Sequence, residues 1–446
     1  MSARFRYEPA APSAFGLLHI AGVGLRVDHV PAGALWGRVQ RQGPPDEEAP
    51  EPPQTLDRCN HEAGLFRSAA LRAALTHRTA YDQRGRFVEN YPLPMLLSLP
   101  TMFGKPEAER IAWRRAYRAE VQWQLNDGPA AMAFHRLNPG AVNTEQGGAV
   151  SFQALAQAFD TQGDLNSMLL WAEDGYAARA RQGGWEPPAG QPAETLEDIL
   201  SRPKRPGQLR DVFSAVLFKR PEAAEWLREW SLHVIDKSDA QNFSNGVAAR
   251  GPHGYGGLNR TVWEPPAYFD APQSGFRPTP NVPEPWSRPQ YEQYSQMPTL
   301  ALMVPPDIAY FKEGMSTEQR AAALEAALVK VLQTPALRQR GPRRLFYSAT
   351  ADGDGAALLA RGLARAAPQA GLLQPGAAFR LEQCLGGDLG AGTMGAALGL
   401  ATIAVWETRE PALVVNLRDS GGAVVCGLLP VNEDYRKRIH PRPYVI

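Results

Sequence analysis

The stretch FRLEQCLGGDLGAGTMGAALGLATIAVWETREPALVVNLRDSGGAVVCGLLPV, residues 379–431, decides the fold. Residues 394–408 within it are apolar on every side, the pattern of a buried helix. Residues 412–418 and 423–429 are short runs rich in valine and leucine, which read as two buried strands. The polar tetrapeptide Asp419–Gly422 between them reads as a tight hairpin turn. A glycine-rich loop, a buried helix and a closing strand pair belong to a layered α/β body.

Upstream, the same alternation recurs. FGLLHIAGVGLRV near the start reads as a strand. Residues 151–160 (SFQALAQAFD) read as a helix with Ser151 at its N-cap, and LNSMLLWAED (165–174) as a short buried strand. LALMVPP (300–306) is strand-like. Residues 316–333 carry a capping box, Ser316 followed by Gln319, and read as a helix. RRLFYSA (343–349) then reads as a strand and residues 355–367 as a helix.

Three proline-rich stretches interrupt this order, at 43–54, 183–209 and 264–289. Proline fixes φ and lacks a donor, so these are loops or extended segments. The third also holds Trp263, Tyr268, Phe269, Phe276 and Trp286, more aromatic surface than a flexible linker carries. We read 263–289 as a proline-stiffened arm packed on the body or on a partner, and Tyr268, Phe276 and Trp286 as its candidate partner-binding residues.

Composition narrows the function classes. The chain has 446 residues, 44% hydrophobic and 21% charged, ordinary for a globular protein. Its 47 basic and 46 acidic residues leave a net charge of +1, without the basic surplus of a nucleic-acid binder. Three cysteines, Cys59, Cys384 and Cys426, with no CxxC, argue against a disulfide framework or a zinc site. The N-terminal apolar run is short and broken by His19 and glycines, which suits a strand better than a signal peptide. No segment reaches about 18 uninterrupted apolar residues, so no membrane span is expected. The expected location is the cytoplasm, and neither cofactor nor metal is expected.

Three motifs imitate chemistry. Gly390, Gly392 and Gly395 spell GxGxxG, but too little chain follows for the rest of a dinucleotide-binding sheet, and a close-packed loop before a buried helix is the better reading. DSGG at 419–422 imitates a serine-protease nucleophile segment, yet it sits between two apolar strands, where a turn belongs. Asp352 and Asp354 imitate part of a calcium loop without its remaining acids and read as a strand-to-helix turn. The eight histidines are scattered, with no HxxxH, and no GxSxG elbow nominates a nucleophile.

Taken together, LLHIAGVGLRVDHVPAGALWGRVQ (17–40), RFVENYPLPMLLSLP (86–100), FRPTPNVPEPWSRPQYEQYSQMPTLALMVP (276–305) and the block at 379–431 resemble the type VI secretion lipase adapter family. The resemblance implies a cytoplasmic, non-catalytic adapter or chaperone. Such a protein binds a phospholipase effector and helps load it onto the VgrG spike. A second resemblance, to thiolase-like proteins such as ketoacyl synthases, lies in SFQALAQAFDTQGDLNSMLLWAEDG, FYSATADGDGAALLARGLARA and GGDLGAGTMGAALGLATIAVWETREPALVVNL. It implies an αβαβα sandwich of two related halves, residues 1–240 and 241–446. In those enzymes two loops present catalytic histidines; here Ala349 and Asp388 lie near those places. The scaffold then binds without condensing acyl groups, for lack of an activated cysteine and its bases. The rival readings are a thiolase-like or lipase-like enzyme of acyl transfer or hydrolysis, and an accessory protein of the same secretion machine that touches no lipase.

Overall fold

The computed structural model describes residues 16–41, 56–74, 95–100, 140–143, 148–161, 165–181, 208–221, 297–349, 354–419 and 421–439, with isolated positions between 106 and 116. The first half contributes β1 (Leu18–Val27), β2 (Val30–Pro31), α1 (Ala32–Arg41), α2 (Leu56–Ala74), β3 (Met95–Leu99), β4 (Gly140–Asn143), α3 (Ala149–Thr161), β5 (Ser167–Asp174), α4 (Tyr176–Arg181) and β6 (Val212–Lys219). The second contributes β7 (Ala301–Met303), β8 (Asp307–Tyr310), α5 (Thr317–Leu332), α6 (Pro335–Arg340), β9 (Arg344–Ala349), α7 (Asp354–Ala366), β10 (Ala378–Arg380), α8 (Leu381–Cys384), α9 (Thr393–Thr408), β11 (Ala412–Leu417), β12 (Gly422–Pro430) and α10 (Glu433–Arg436).

These strands form one sheet in the order β10-β9-β11-β12-β7-β1-β6-β5-β3-β4, with β2 on β1 and β8 on β12. The order contains the same unit twice. In each half the first long-range strand lies beside the last, which runs antiparallel to both neighbours. The fourth, second and third strands then follow in parallel. The halves meet where β1 pairs antiparallel with β7, Leu18↔Met303 to Ile20↔Ala301. The expected two-half α/β architecture is therefore present. The expected boundary near residue 240 lies outside the described residues.

Hydrophobic burial follows this plan. Strands β3, β5, β6 and β11 are buried at every position, as strands covered on both faces must be. Helix α9 lies between the half-sheets, touching β1 and β6 of one and β9, β11 and β12 of the other. Fourteen of its sixteen residues are buried, which explains why its sequence has no polar face. Helix α3 joins it in this central core through Phe152, Leu155 and Phe159. Helices α5 and α7 cover the outer face of the second half-sheet.

The glycines that imitate a nucleotide fingerprint serve this packing. A Cβ at Gly392 would sit 2.6 Å from Val212, and one at Gly395 would sit 2.7 Å from the Ser214 hydroxyl. On β1, Gly22 and Gly24 share one face. A Cβ there would lie 1.8 Å and 1.7 Å from the carbonyl oxygens of Ala74 and Ala70, so α2 rests directly on strand backbone. The same helix inserts Arg67, which makes a bidentate pair with Glu173 of β5 at 2.8 Å; both side chains are fully buried.

One local reading needs correction. Helix α3 starts at Ala149, so Ser151 lies inside it and is not the cap. Gly422 opens β12 and is constrained by the Ala309 carbonyl, 2.6 Å from where its Cβ would stand. The hairpin between β11 and β12 is as expected, closed by Gly422 N–H to the Asp419 carbonyl at 3.3 Å.

Candidate functional site

Parallel strands of an open α/β sheet gather loops at their C-terminal ends, and sites form there. Here β5 ends in Asp174, β9 in Ser348 and Ala349, and β11 runs into Arg418 and Asp419. The loop 386–392 crosses between the halves and ties these ends together.

Asp174 belongs to the first half. Its Oδ1 accepts the Gly175 N–H at 2.7 Å and the Arg179 Nε–H at 2.8 Å, while Oδ2 accepts the Ala391 N–H of the second half at 2.7 Å. Gly390 stands beside it at φ +50°, where a Cβ would fall 2.0 Å from that carboxylate. Both backbone angle and space demand glycine. Asp388 accepts the Gly390 N–H at 2.7 Å and the Arg418 guanidinium at 2.9 Å. Burial alone would push the Asp388 carboxyl up, but the Arg418 hydrogen bond and charge leave it below its ordinary value. Burial likewise works against the Arg418 charge, and Asp388 more than restores it. Arg418 also stands 3.6 Å from Glu382, which accepts a hydrogen bond from the Ser348 hydroxyl. Burial raises the Glu382 carboxyl above its usual range despite these donors.

A second set of bonds stitches the same loop to the segment before β6. Arg210 N–H donates to the Asp388 carbonyl at 2.7 Å, and Asp388 N–H donates to the Gln208 carbonyl at 3.0 Å. The Arg210 side chain reaches the Gly386 carbonyl at 2.7 Å and Asp28 at 3.3 Å. Beside the cluster, the buried Asp419 carboxylate accepts the Ala149 N–H at 3.3 Å and so caps α3 from the other half. Burial pushes its carboxyl up to about 6.

The structure brings Ala349 and Asp388 to one region, linked through Ser348, Glu382 and Arg418. Arg418, Glu382, Asp174 and Arg179 were not singled out by sequence reasoning. Nothing in the local sequence marks them, since each has another charged residue one or two positions away, and only the strand order makes neighbours of Asp174 and Ala391. Cys384 and Cys426 are free and buried; burial pushes the Cys384 thiol up to about 11 and raises Cys426 further, away from thiolate reactivity. His19 bonds the Thr299 hydroxyl at 3.0 Å, near the β1–β7 junction, while His29 and His61 are exposed. Tyr268, Phe276, Trp286, Asp352 and Ser420 lie outside the described residues. Among the described residues, no group of acidic, histidine and cysteine side chains could hold a metal ion, and no helix is long and apolar enough to cross a membrane.

Chemically, the cluster is a clasp. Its carboxylates at Asp174 and Asp388 are each consumed by a guanidinium and by backbone donors, and the bonds run from one half to the other.

Residues 302–430 match the family model described as type VI lipase adapter protein Tla3, C-terminal. That range covers most of the second half and its whole share of the clasp. The chain is also similar to solved ketosynthase structures. The ketosynthase from module 6 of the bacillaene synthase of Bacillus subtilis 168 is 10% identical, over 93% of this chain and 72% of that one, with TM-score 0.49. The oxazolomycin ketosynthase domain OzmH KS7 of Streptomyces albus JA3453 is 12% identical, over 93% and 75%, with TM-score 0.45. The ishigamide ketosynthase/chain length factor is 14% identical, over 94% and 100%, with TM-score 0.40. The fold is a layered α/β sandwich of two halves in which the same strand order occurs twice.

Proposed function

We propose that this chain is a non-catalytic cytoplasmic adapter of the type VI secretion pathway, which binds a lipase effector and helps load it onto the VgrG spike. The observation that carries the reading is the family match over 302–430. The clasp supports it. Where the resembled enzymes present histidines, this chain has Ala349, buried in the core, and Asp388, held by Arg418. A general base must be available to take a proton in the operating pH range. A carboxylate locked in an ion pair and held below its ordinary pKa is a poor candidate. Tyr268, Phe276 and Trp286 of the proline-rich arm are proposed contacts for the effector or the spike, because aromatic side chains are enriched among interface hot spots.

Co-purification tests the adapter. The full chain, tagged and co-expressed with a type VI phospholipase and a VgrG spike protein from the same organism, is expected to retain the lipase through gel filtration. The purified chain alone is expected to hydrolyse neither phospholipid nor short acyl esters above buffer. Turnover abolished by replacing one serine or cysteine would establish the rival enzyme reading. Capture of spike protein without any lipase would favour an accessory role instead.

A further inference from the structure

The end of the second half remote from the clasp is strongly basic. Here β9 and β11 begin and β12 finishes. Leu337 of α6 packs on Gly427 and Val304, which places α6 at this end. Arg343 N–H donates to the Pro411 carbonyl at 2.9 Å, Arg344 pairs with Glu410 at 3.0 Å, and Arg409 pairs with Glu433 at 3.2 Å. These bonds join 338–344, 409–411 and 433–438 into one surface. Arg338, Arg340, Arg343, Arg409, Lys437 and Arg438 are all exposed on it. Residues 338–344 contain four arginines and no acid.

The ordinary explanation covers part of this. Arg338 and Arg340 close α6, where the helix dipole favours cations. It extends to Arg436 and Lys437, which close α10, but it does not cover Arg343 and Arg438, which lie beyond the ends of the two helices. Clustered like charges repel one another in the free protein, and arginine offers a flat fork suited to carboxylates. In a chain whose total charge is +1, this concentration is local.

We propose that this basic end is a docking surface for an acidic face of a partner protein. The acids within it favour protein over polyanion. Glu410, Glu433 and Asp434 are interspersed among the cations and would repel a uniformly anionic lipid surface or nucleic acid, whereas a protein face can match a mixed pattern. The proposal rests on the adapter reading, with the lipase as the partner.

The test uses the full chain and the lipase that co-purifies with it. Charges at an interface rim act mainly on association rate and salt dependence. The triple variant R338E/R340E/R343E is expected to stay folded, with only the small fall in melting temperature that reversed charges at the end of α6 bring, and to bind the lipase about tenfold more weakly at low salt. R338Q/R340Q/R343Q should lose less. R361E, an exposed reversal on α7, should bind as the parent does, and the parent's affinity should fall with added salt. Parent-like binding by both triple variants overturns the proposal and leaves the adapter intact. An equal loss in R361E overturns it too, since the effect would not be local. Loss of binding to phosphatidylserine vesicles with lipase binding unchanged would assign the surface to a membrane instead. If no lipase binds the parent chain, the adapter reading falls and this proposal falls with it.

Discussion

Asp419 shows how one residue can carry information between distant parts of a sequence. Its carboxylate is buried and caps a helix that begins 270 residues earlier. A carboxyl held at about 6, above its ordinary 3.8, binds its proton more tightly folded than unfolded. Its contribution to stability is therefore fully present below about pH 4 and is lost as pH rises through about 6. Asp419→Asn keeps an acceptor for Ala149 N–H without the buried charge. It should stabilise the protein at pH 7.5 by roughly 1–3 kcal/mol and have little effect at pH 4. Urea unfolding at the two pH values measures this; equal effects at both would show that charge is not the cause. The residue also explains a misreading. Ser151 has the chemistry of an N-cap, and nothing nearby in sequence announces that Asp419 does that work.

At the scale of elements, legibility followed the range of the stabilising contact. Helix α5 was readable because its cap is local: Ser316 accepts from Gln319 N–H at 3.2 Å, and the Gln319 side chain returns the bond at 2.8 Å. Ser316→Ala should cost about 1 kcal/mol in chemical denaturation. The glycines of β1 and α9 were visible as a pattern, but their burden was not. Gly22→Ala would drive a methyl into the Ala74 carbonyl and lift α2, with an expected loss of about 3 kcal/mol or more. Gly37→Ala, in α1 with nothing within 4 Å, should instead gain up to about 1 kcal/mol. Matching losses at both positions would refute the close-approach account. The buried pair on α2 gives a further contrast. Arg67→Met strands Glu173 in the core and should cost roughly 3–5 kcal/mol, much of it recovered in R67M/E173L. If the double variant is no better than the single, the cost lies in packing rather than charge.

For the whole molecule, the fold class was legible because apolar runs of strand and helix length alternate along the chain. The strand order was not, since pairing β1 with β7 spans about 280 residues and leaves no trace in periodicity. Nor was the clasp, whose charged members come from segments far apart in the sequence. The same long-range pairing makes the halves interdependent. Helix α9 fills a core bounded by both, and a half alone would expose it. Calorimetry of the full chain should show one unfolding transition; two well-separated transitions would mean that each half is a stable unit. Cutting near the proposed boundary at residue 240 should give fragments that stay soluble only when co-expressed.

Strands β1 and β7 lie side by side as equivalent strands running in opposite directions. An approximate two-fold axis passes between them, so the molecule has the plan of a dimer written as a single polypeptide. A true homodimer must offer every face twice, and any change on one side is imposed on the other. A fused pair is released from that rule. His19 already stands opposite Leu302 across the axis. Each side can diverge alone, and two unlike surfaces can be held at a fixed spacing, as the adapter proposed above would need in order to hold a cargo on one side and a carrier on the other.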